Sequence, residues 1–342
     1  MKNSVTLKAI ADRVGVSVAT VSRTLNDQPG VGSQVRDQIL KVARELGYTP
    51  NLNARRLATS INQTVAFVVH QSLQAASTDP FYPVIMAGAE AHLSQHDYHI
   101  LLATVDDYTL SHPEDFSIIN KGLVDGLILA GPEIDASFIL SLLSANYPVV
   151  LVDNMLTQTN VNCVLNDDAG GAYEATHHLI EHGYARIAFL SGPKDWVSNR
   201  ERWRGFTQAM AKANLEPRVL YGKETTILSG EALMAEALER WPDLEAVCAA
   251  NDSVAIGVIR AASRAGCRTP EDLAVVGYDD ISWASLNQPP LTTVHVFKRR
   301  IGQLAAQSLL ECIKSPDAPP AKVVVSTRLV LRQSCGHHPD SG

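Results

Sequence analysis

Three pairs of carboxylate and amide side chains stand where apolar runs end. Asp153 and Asn154 close PVVLVDN (148–154), Asn251 and Asp252 close AVCAAND (246–252), and Asp279 and Asp280 close LAVVGYDD (273–280). Arg202 lies in SNRERWRGF, where a helix opens. Carboxylates and an amide with one arginine can chelate the vicinal hydroxyls of a sugar, and aromatic rings can stack on its apolar face. Phe81 and Tyr82, in the loop DPFYP, suit that second task. Taken one at a time, Asp252 and Asp280 serve equally well as helix caps or solvated loop residues.

A second constellation has a different chemistry. In VATVSRTL, the residues Val18, Ala19, Ser22 and Arg23 fall on the face opposite Val21 and Leu25. A helix of this kind fits the major groove of DNA, with its N-terminal residues at the base edges. Arg23 is placed for a bidentate contact to guanine, and Val18 and Ala19 for contact with thymine methyls. The bland alternative is a small helical bundle with one solvated face.

The elements around that helix support the first option. Thr6 caps a helix whose apolar positions are Leu7, Ile10, Ala11 and Val14, although Ala9 leaves its capping box incomplete. Gly15 ends it, Val16 fills the turn and Ser17 caps the next helix, giving a helix-turn-helix. After a loop with Asn26, Asp27, Pro29 and Gly30, Ser33 caps a third helix carrying Val35, Ile39, Leu40, Val42, Ala43 and Leu46. Gly47 and Pro50 close it. In NLNARRLATS (51–60), Asn51 can cap one short helix bearing Arg55, Arg56 and Leu57. Two arginines beside an exposed leucine suit the minor groove, where an apolar wedge unstacks a base step. A plain linker is the alternative.

VTLKAIADRVGVSVATVSRTLN, followed by GYTPNLNARRLA, resembles the headpiece and hinge of the lactose/galactose repressor family. The turn GVS, the helix VATVSR, the GY-x-PN element and the A-R-x-L hinge occur in the family's order and spacing. The pairing of Val18 with Ala19 is nearer the galactose-type regulators. The resemblance implies a hinge helix that orders when two subunits dock on an operator, with Leu57 as the matching wedge. The DNA-contacting set it implies is Thr6, Ser17, Val18, Ala19, Thr20, Ser22, Arg23, Asn26, Asn51, Arg55 and Leu57.

From residue 62 the pattern changes to βαβ units. TVAFVV (64–69), HILLATV (99–105), GLILAG (126–131) and PVVLVDN form one series, with a helix around Val84–Leu93 between the first two. RIAFLSG (186–192), AVCAAND and LAVVGYDD form another, with helices from Arg200 to Asn214 and from Val254 to Ala265. VVVSTRLVLR supplies a last strand. The expected architecture is an all-α helix-turn-helix headpiece (1–50), a hinge (51–61), and an α/β core (62–342). That core is two doubly wound parallel-sheet lobes resembling a periplasmic binding protein. Lobe 1 takes about 62–163 and 295–325, and lobe 2 about 164–294 and 326–335. Ligands of such sheets sit beyond the carboxyl ends of the strands. The family resemblance implies an effector there, held by Phe81, Tyr82, Asp153, Arg202, Asn251 and Asp279. Where several members place a stacking aromatic, before SG (229–230), this chain carries Thr225.

Charge agrees with this division. The chain of 342 residues carries a net −7, of which residues 1–60 contribute +5 and the remainder −12. A basic head on an acidic body points to a polyanionic partner for the head alone. No apolar run approaches the ~18–20 residues that span a bilayer, and the N-terminus lacks the apolar segment of a signal peptide. The five scattered cysteines form no C-x-x-C pair, which fits a reduced, cytoplasmic, nucleoid-associated protein. His92, His96 and His99, and likewise His177, His178 and His182, read as solvated helix faces rather than metal ligands. AGGA (169–172) lacks the GK[ST] ending of a phosphate loop. The sequence therefore predicts a DNA-binding transcriptional regulator, a repressor of carbohydrate-utilisation genes. Its partners are double-stranded operator DNA, a sugar or sugar-phosphate effector and a second copy in a homodimer, with no catalytic set, cofactor, metal or membrane. A transporter's solute receptor would leave the basic head unexplained, and a sugar-modifying enzyme would need catalytic residues that the chain does not display.

Overall fold

A computed structural model describes residues 5–25, 28–48, 61–72 and 80–336. The chain divides into two compact units, 1–62 and 63–342.

The first unit holds α1 (Leu7–Val14), α2 (Val18–Leu25) and α3 (Ser33–Glu45). Thr6 Oγ1 accepts from the Ala9 amide and so caps α1, and Gly15 ends it in the left-handed region at φ 77°. Ser17 Oγ accepts from the Thr20 amide at 3.1 Å and caps α2. The third cap differs from expectation. Ser33 is already inside α3, and the cap position belongs to Gly32, which offers no side chain. Ile10, Ala11, Val21, Ile39, Val42 and Ala43 form the core, with Val16, Leu25 and Tyr48 packed against it. Leu40 faces outward instead.

The second unit begins with β1 (Thr64–His70), α4 (Phe81–Leu93), β2 (His99–Val105), α5 (Asp107–Ser111), α6 (Ser117–Asn120), β3 (Gly126–Ala130), α7 (Ala136–Ser144), β4 (Val149–Val152) and β5 (Asn162–Asn166). It continues through α8 (Asp168–Glu181), β6 (Ile187–Ser191), α9 (Val197–Lys212), β7 (Arg218–Tyr221), α10 (Ile227–Arg240), β8 (Ala246–Ala249), α11 (Asp252–Arg264) and β9 (Ala274–Asp279). It ends with α12 (Ser282–Leu286), β10 (Thr292–His295), α13 (Lys298–Lys314), β11 (Lys322–Val325) and β12 (Arg328–Val330).

Two six-stranded sheets result, in the orders β11-β5-β4-β3-β1-β2 and β12-β10-β9-β8-β6-β7. The first is parallel throughout; in the second, β12 runs antiparallel to β10. VVVSTRLVLR is thus not one strand: β11 joins the first sheet, and β12 crosses to the second. The earlier crossing follows Asn166 rather than 163, because β5 extends to that residue. Central strands such as β3 and β9 are buried along their whole length, which is why they read as unbroken apolar runs.

The glycines of AGGA are used for packing. A side chain at Gly171 would collide with the Tyr278 hydroxyl, and one at Gly205 on α9 with the Ala169 carbonyl, so α8 and α9 lie in close contact.

Candidate functional site

In the headpiece, Val18, Ala19 and Arg23 are exposed on α2, and Thr20 and Ser22 are half-buried on it. Val18 keeps 44% of its surface open, although it is apolar and opens the helix. Thr6 and Ser17 are exposed and act as caps. Asn26, Asn51, Arg55 and Leu57 lie outside the described residues.

In the core, the strand-end rule brings the expected polar residues together. A cavity of about 880 Å³ is lined by Phe81, Tyr82 and Asp153 from one lobe and by Arg202, Asn251 and Asp279 from the other. Asp153 follows β4 at φ 55°, and Asp279 ends β9 at φ 98°. Non-glycine residues in that region carry strain, and such strain concentrates at ligand sites.

Arg202, buried on α9, is the hub. Its Nε donates to Asp168 Oδ1 at 2.8 Å, Nη2 to Asp279 Oδ1 at 3.3 Å, and Nη1 to the Ala250 carbonyl. The guanidinium also lies 3.9 Å from the centre of the Tyr278 ring. Burial pushes the Asp168 and Asp279 carboxyls above their ordinary range, and the arginine charge pulls against it. Lys298 Nζ holds the backbone carbonyls of Asp279 and Asp280. Across the cavity, Tyr82 Oη donates to Asp153 Oδ2 at 2.8 Å. Asp153 is likewise raised, by burial first and then by the Asp168 charge. Asn251 Oδ1 caps α11 by accepting from the Val254 amide at 2.8 Å, and its Nδ2 donates to the Thr225 carbonyl at 3.1 Å.

The neighbours of these residues have structural jobs. Asp252 accepts from Thr293 Oγ1 at 2.5 Å and from the Ile281 amide at 2.8 Å. Asp280 pairs with Arg332 and His295, each at 2.7 Å. Burial raises the Asp280 carboxyl, but these two donors outweigh it and hold it below its ordinary range. Asn154 ties down the carbonyls of Gly131 and Ile134.

Phe81 and Tyr82 are not in a loop. They open α4, with Phe81 buried and packed edge-on against Tyr82 at 5.1 Å. Thr225 lines the cavity, and so does the aromatic Trp196 at the cap of α9. Sequence reasoning missed Trp196, as it missed Asp168, the main partner of Arg202, and Glu133. Glu133 follows β3 within three residues, so the rule that found Asp153 would have found it. Its Oε2 is buried without a hydrogen-bond partner among the described residues, and burial pushes its carboxyl up to about 7.

Among the described residues no group of three or more His, Cys, Asp or Glu could hold a metal ion, and no helix is long and apolar enough to cross a membrane. The His92 and His96 rings meet at a 59° tilt with centres 5.0 Å apart, and buried His178 meets Cys335 Sγ at 3.4 Å.

The family model for bacterial regulatory proteins of the lacI family matches residues 6–51, and that for a periplasmic binding protein-like domain matches residues 176–335. The HTH-type transcriptional regulator CelR of Thermobifida fusca is 36% identical over 334 residues, covering 96% of this chain and 98% of CelR. The ribose operon repressor of Haemophilus influenzae is 30% identical over 332 residues, with 96% and 98% covered. Among solved structures, a CelR–cellobiose complex superposes with a TM-score of 0.76 at 34% identity, covering 96% and 99% of the two chains. The lac repressor dimer bound to operator and the anti-inducer ONPF gives 0.82 at 26% identity, covering 98% and 100%.

Proposed function

Since the chain belongs to the lacI family of bacterial regulatory proteins, we propose that it is a cytoplasmic repressor of carbohydrate-utilisation genes, releasing or gripping its operator in response to a sugar bound between the core lobes. One observation carries the reading. The cavity draws its polar groups from both lobes, with Tyr82 and Asp153 on one side and Arg202, Asn251 and Asp279 on the other. A ligand that touches both lobes favours one arrangement of them, and only such a difference in affinity can shift an equilibrium. The cellobiose complex of a relative supports the sugar class.

On DNA, Arg23 reads a guanine edge and Val18 and Ala19 contact thymine methyls, while Thr6, Ser17, Thr20, Ser22 and Asn26 complete the headpiece contacts. The family resemblance assigns Asn51, Arg55 and Leu57 to the minor groove. The regulator works as a C2 homodimer that presents two half-sites. Edge strand β2 supports this, because it exposes Leu101 (36%) and Leu102 (46%), and so does the dimeric lac repressor structure.

The test selects an operator from random duplex DNA with the full chain, then titrates the complex with neutral sugars. Asp279→Ala should bind the selected operator within about threefold of the parent yet no longer respond to any sugar that acts on the parent. Light scattering should find two chains per operator. A variant that still responds fully, or one chain per operator, would refute the corresponding part.

A further inference from the structure

The cavity is large for one sugar ring. At the ~30 Å³ that a water takes in the liquid, its 880 Å³ corresponds to about 29 waters. A hexose has about twelve non-hydrogen atoms and takes up only part of this cleft, which is itself partly open to solvent. Apolar surface is available at both sides, since Phe81 stands on α4 while Trp196 and Leu228 stand at the starts of α9 and α10. Leu228 is 75% exposed, and a leucine left so open on a cavity wall is surface for an apolar partner.

The charges point one way. Glu133, Asp153 and Asp279 all line the cavity, and Arg202 is the buried cation beside them. That guanidinium is already committed to Asp168, Asp279 and the Ala250 carbonyl. Lys298 is committed to two backbone carbonyls, and Lys223 is exposed. The first turns of α10 and α11 are closed by the Thr226 and Asn251 side chains, while those of α4 and α9 on the same cavity carry no side-chain cap. A phosphate would therefore enter beside three carboxyl groups with no uncommitted buried cation among the described residues.

Glu133 adds a specific demand. A buried oxygen without a partner costs free energy until something donates to it. Burial raises this carboxyl to about 7, against the Glu133 backbone amide, which pulls it down. A sugar hydroxyl both donates and accepts, so it satisfies Glu133 in either protonation state.

We propose that the cleft is built for an uncharged sugar of at least two rings, with Glu133 accepting from one of its hydroxyls. This rests on the reading of the cleft as a sugar site and narrows it, excluding sugar phosphates.

The experiment is calorimetric titration of the full chain with cellobiose, maltose, lactose, sucrose, glucose, glucose 6-phosphate and hypoxanthine. At least one disaccharide should bind tenfold or more tightly than glucose, and glucose 6-phosphate should bind no more tightly than glucose. Glu133→Leu should weaken the disaccharide at least tenfold, with Glu133→Gln restoring part of the loss. Operator binding and the melting curve of each variant establish that it folds. Glucose matching the best disaccharide, a preference for the phosphate, or an unaffected Glu133→Leu overturns the inference and leaves the sugar reading standing. Binding of hypoxanthine with every sugar silent overturns the sugar reading itself. Silence from all four disaccharides overturns the inference.

Discussion

Replacing Arg202 with methionine keeps most of the side-chain volume and removes the charge. Arg202 and its partners Asp168 and Asp279 are 6%, 6% and 7% exposed, so the substitution strands two carboxyl groups away from water. Breaking a buried pair by removing one partner costs about 3–5 kcal/mol while the remaining charge persists. Here two carboxylates lose one cation, so the upper part of that range applies at pH 8. Both carboxyls are raised by burial even with the arginine present, and the arginine is what holds them down. Without it they take up protons at higher pH, and a protonated acid needs no counter-charge. The cost must therefore shrink towards pH 5. The assay is urea unfolding at pH 8 and pH 5, followed by tryptophan emission. All four tryptophans, Trp196, Trp203, Trp241 and Trp283, lie in the core, so they report its unfolding without the headpiece. A loss below about 1 kcal/mol at pH 8, or an equal loss at both pH values, would refute the account of Arg202 as the counter-charge of the cleft. Converting Asp168 and Asp279 to asparagine in the same chain should recover part of the loss, because neutral isosteres leave no charge to pair.

Glu133 gives a prediction of the opposite sign. Its carboxyl is raised from 4.5 to about 7, so the folded core holds an extra proton between those values and stability falls as pH rises through that window. Glu133→Gln should match the parent at pH 4.5 and exceed it by up to about 3 kcal/mol above pH 7, read from urea midpoints without ligand; no gain at pH 8 sinks the idea. In the headpiece, Arg23→Ala should cost on the order of 1–3 kcal/mol of operator affinity and relax one base preference, measured by fluorescence anisotropy on a set of operator variants. Equal weakening across all variants would mean that Arg23 meets phosphate instead.

What could be read in advance follows from where the physics is local. Thr6, Gly15 and Ser17 cap and turn their helices through contacts within four residues, so the first two helices were legible position by position, while Ser33 and Leu40 on the third were not. Strands β1, β3, β4, β6, β8 and β9 are buried on both faces and announce themselves as apolar runs. β5, β7 and β10 did not, because NCVLN, RVLY and TTVH are short and mix polar residues into the run. VVVSTRLVLR was expected as one strand although the lobe boundary was set at 325/326, and pairing of its halves with β5 and β10 divides it there into two. In the site, Asp153, Asn251 and Asp279 were found because strand ends are a topological address. Asp168 was not, since nothing near it in sequence indicates Arg202, 34 residues away. Asp252 and Asp280 shared the same address yet serve Thr293 and Arg332, and only the tertiary partners separate them from the cavity-lining Asn251 and Asp279.

The arrangement of charge also bears on how a ligand can act. Burying Asp153, Asp168 and Asp279 around one guanidinium, and Glu133 elsewhere on the cavity wall, is costly, and the raised carboxyls record that cost. A hydroxylated ligand that donates to Glu133, Asp153 or Asp279 on the cavity wall lowers it, so part of its binding energy is relief of a penalty that burial imposes. Relief confined to one lobe would be the same in every arrangement of the two lobes, and equal affinity for two states shifts neither. Leverage needs contacts on both sides at once, from Tyr82, Glu133 and Asp153 across to Arg202, Asn251 and Asp279. Ligand length thus enters twice, as fit to the cavity and as the condition for signalling. A single ring that reaches only one lobe would bind without moving the operator equilibrium.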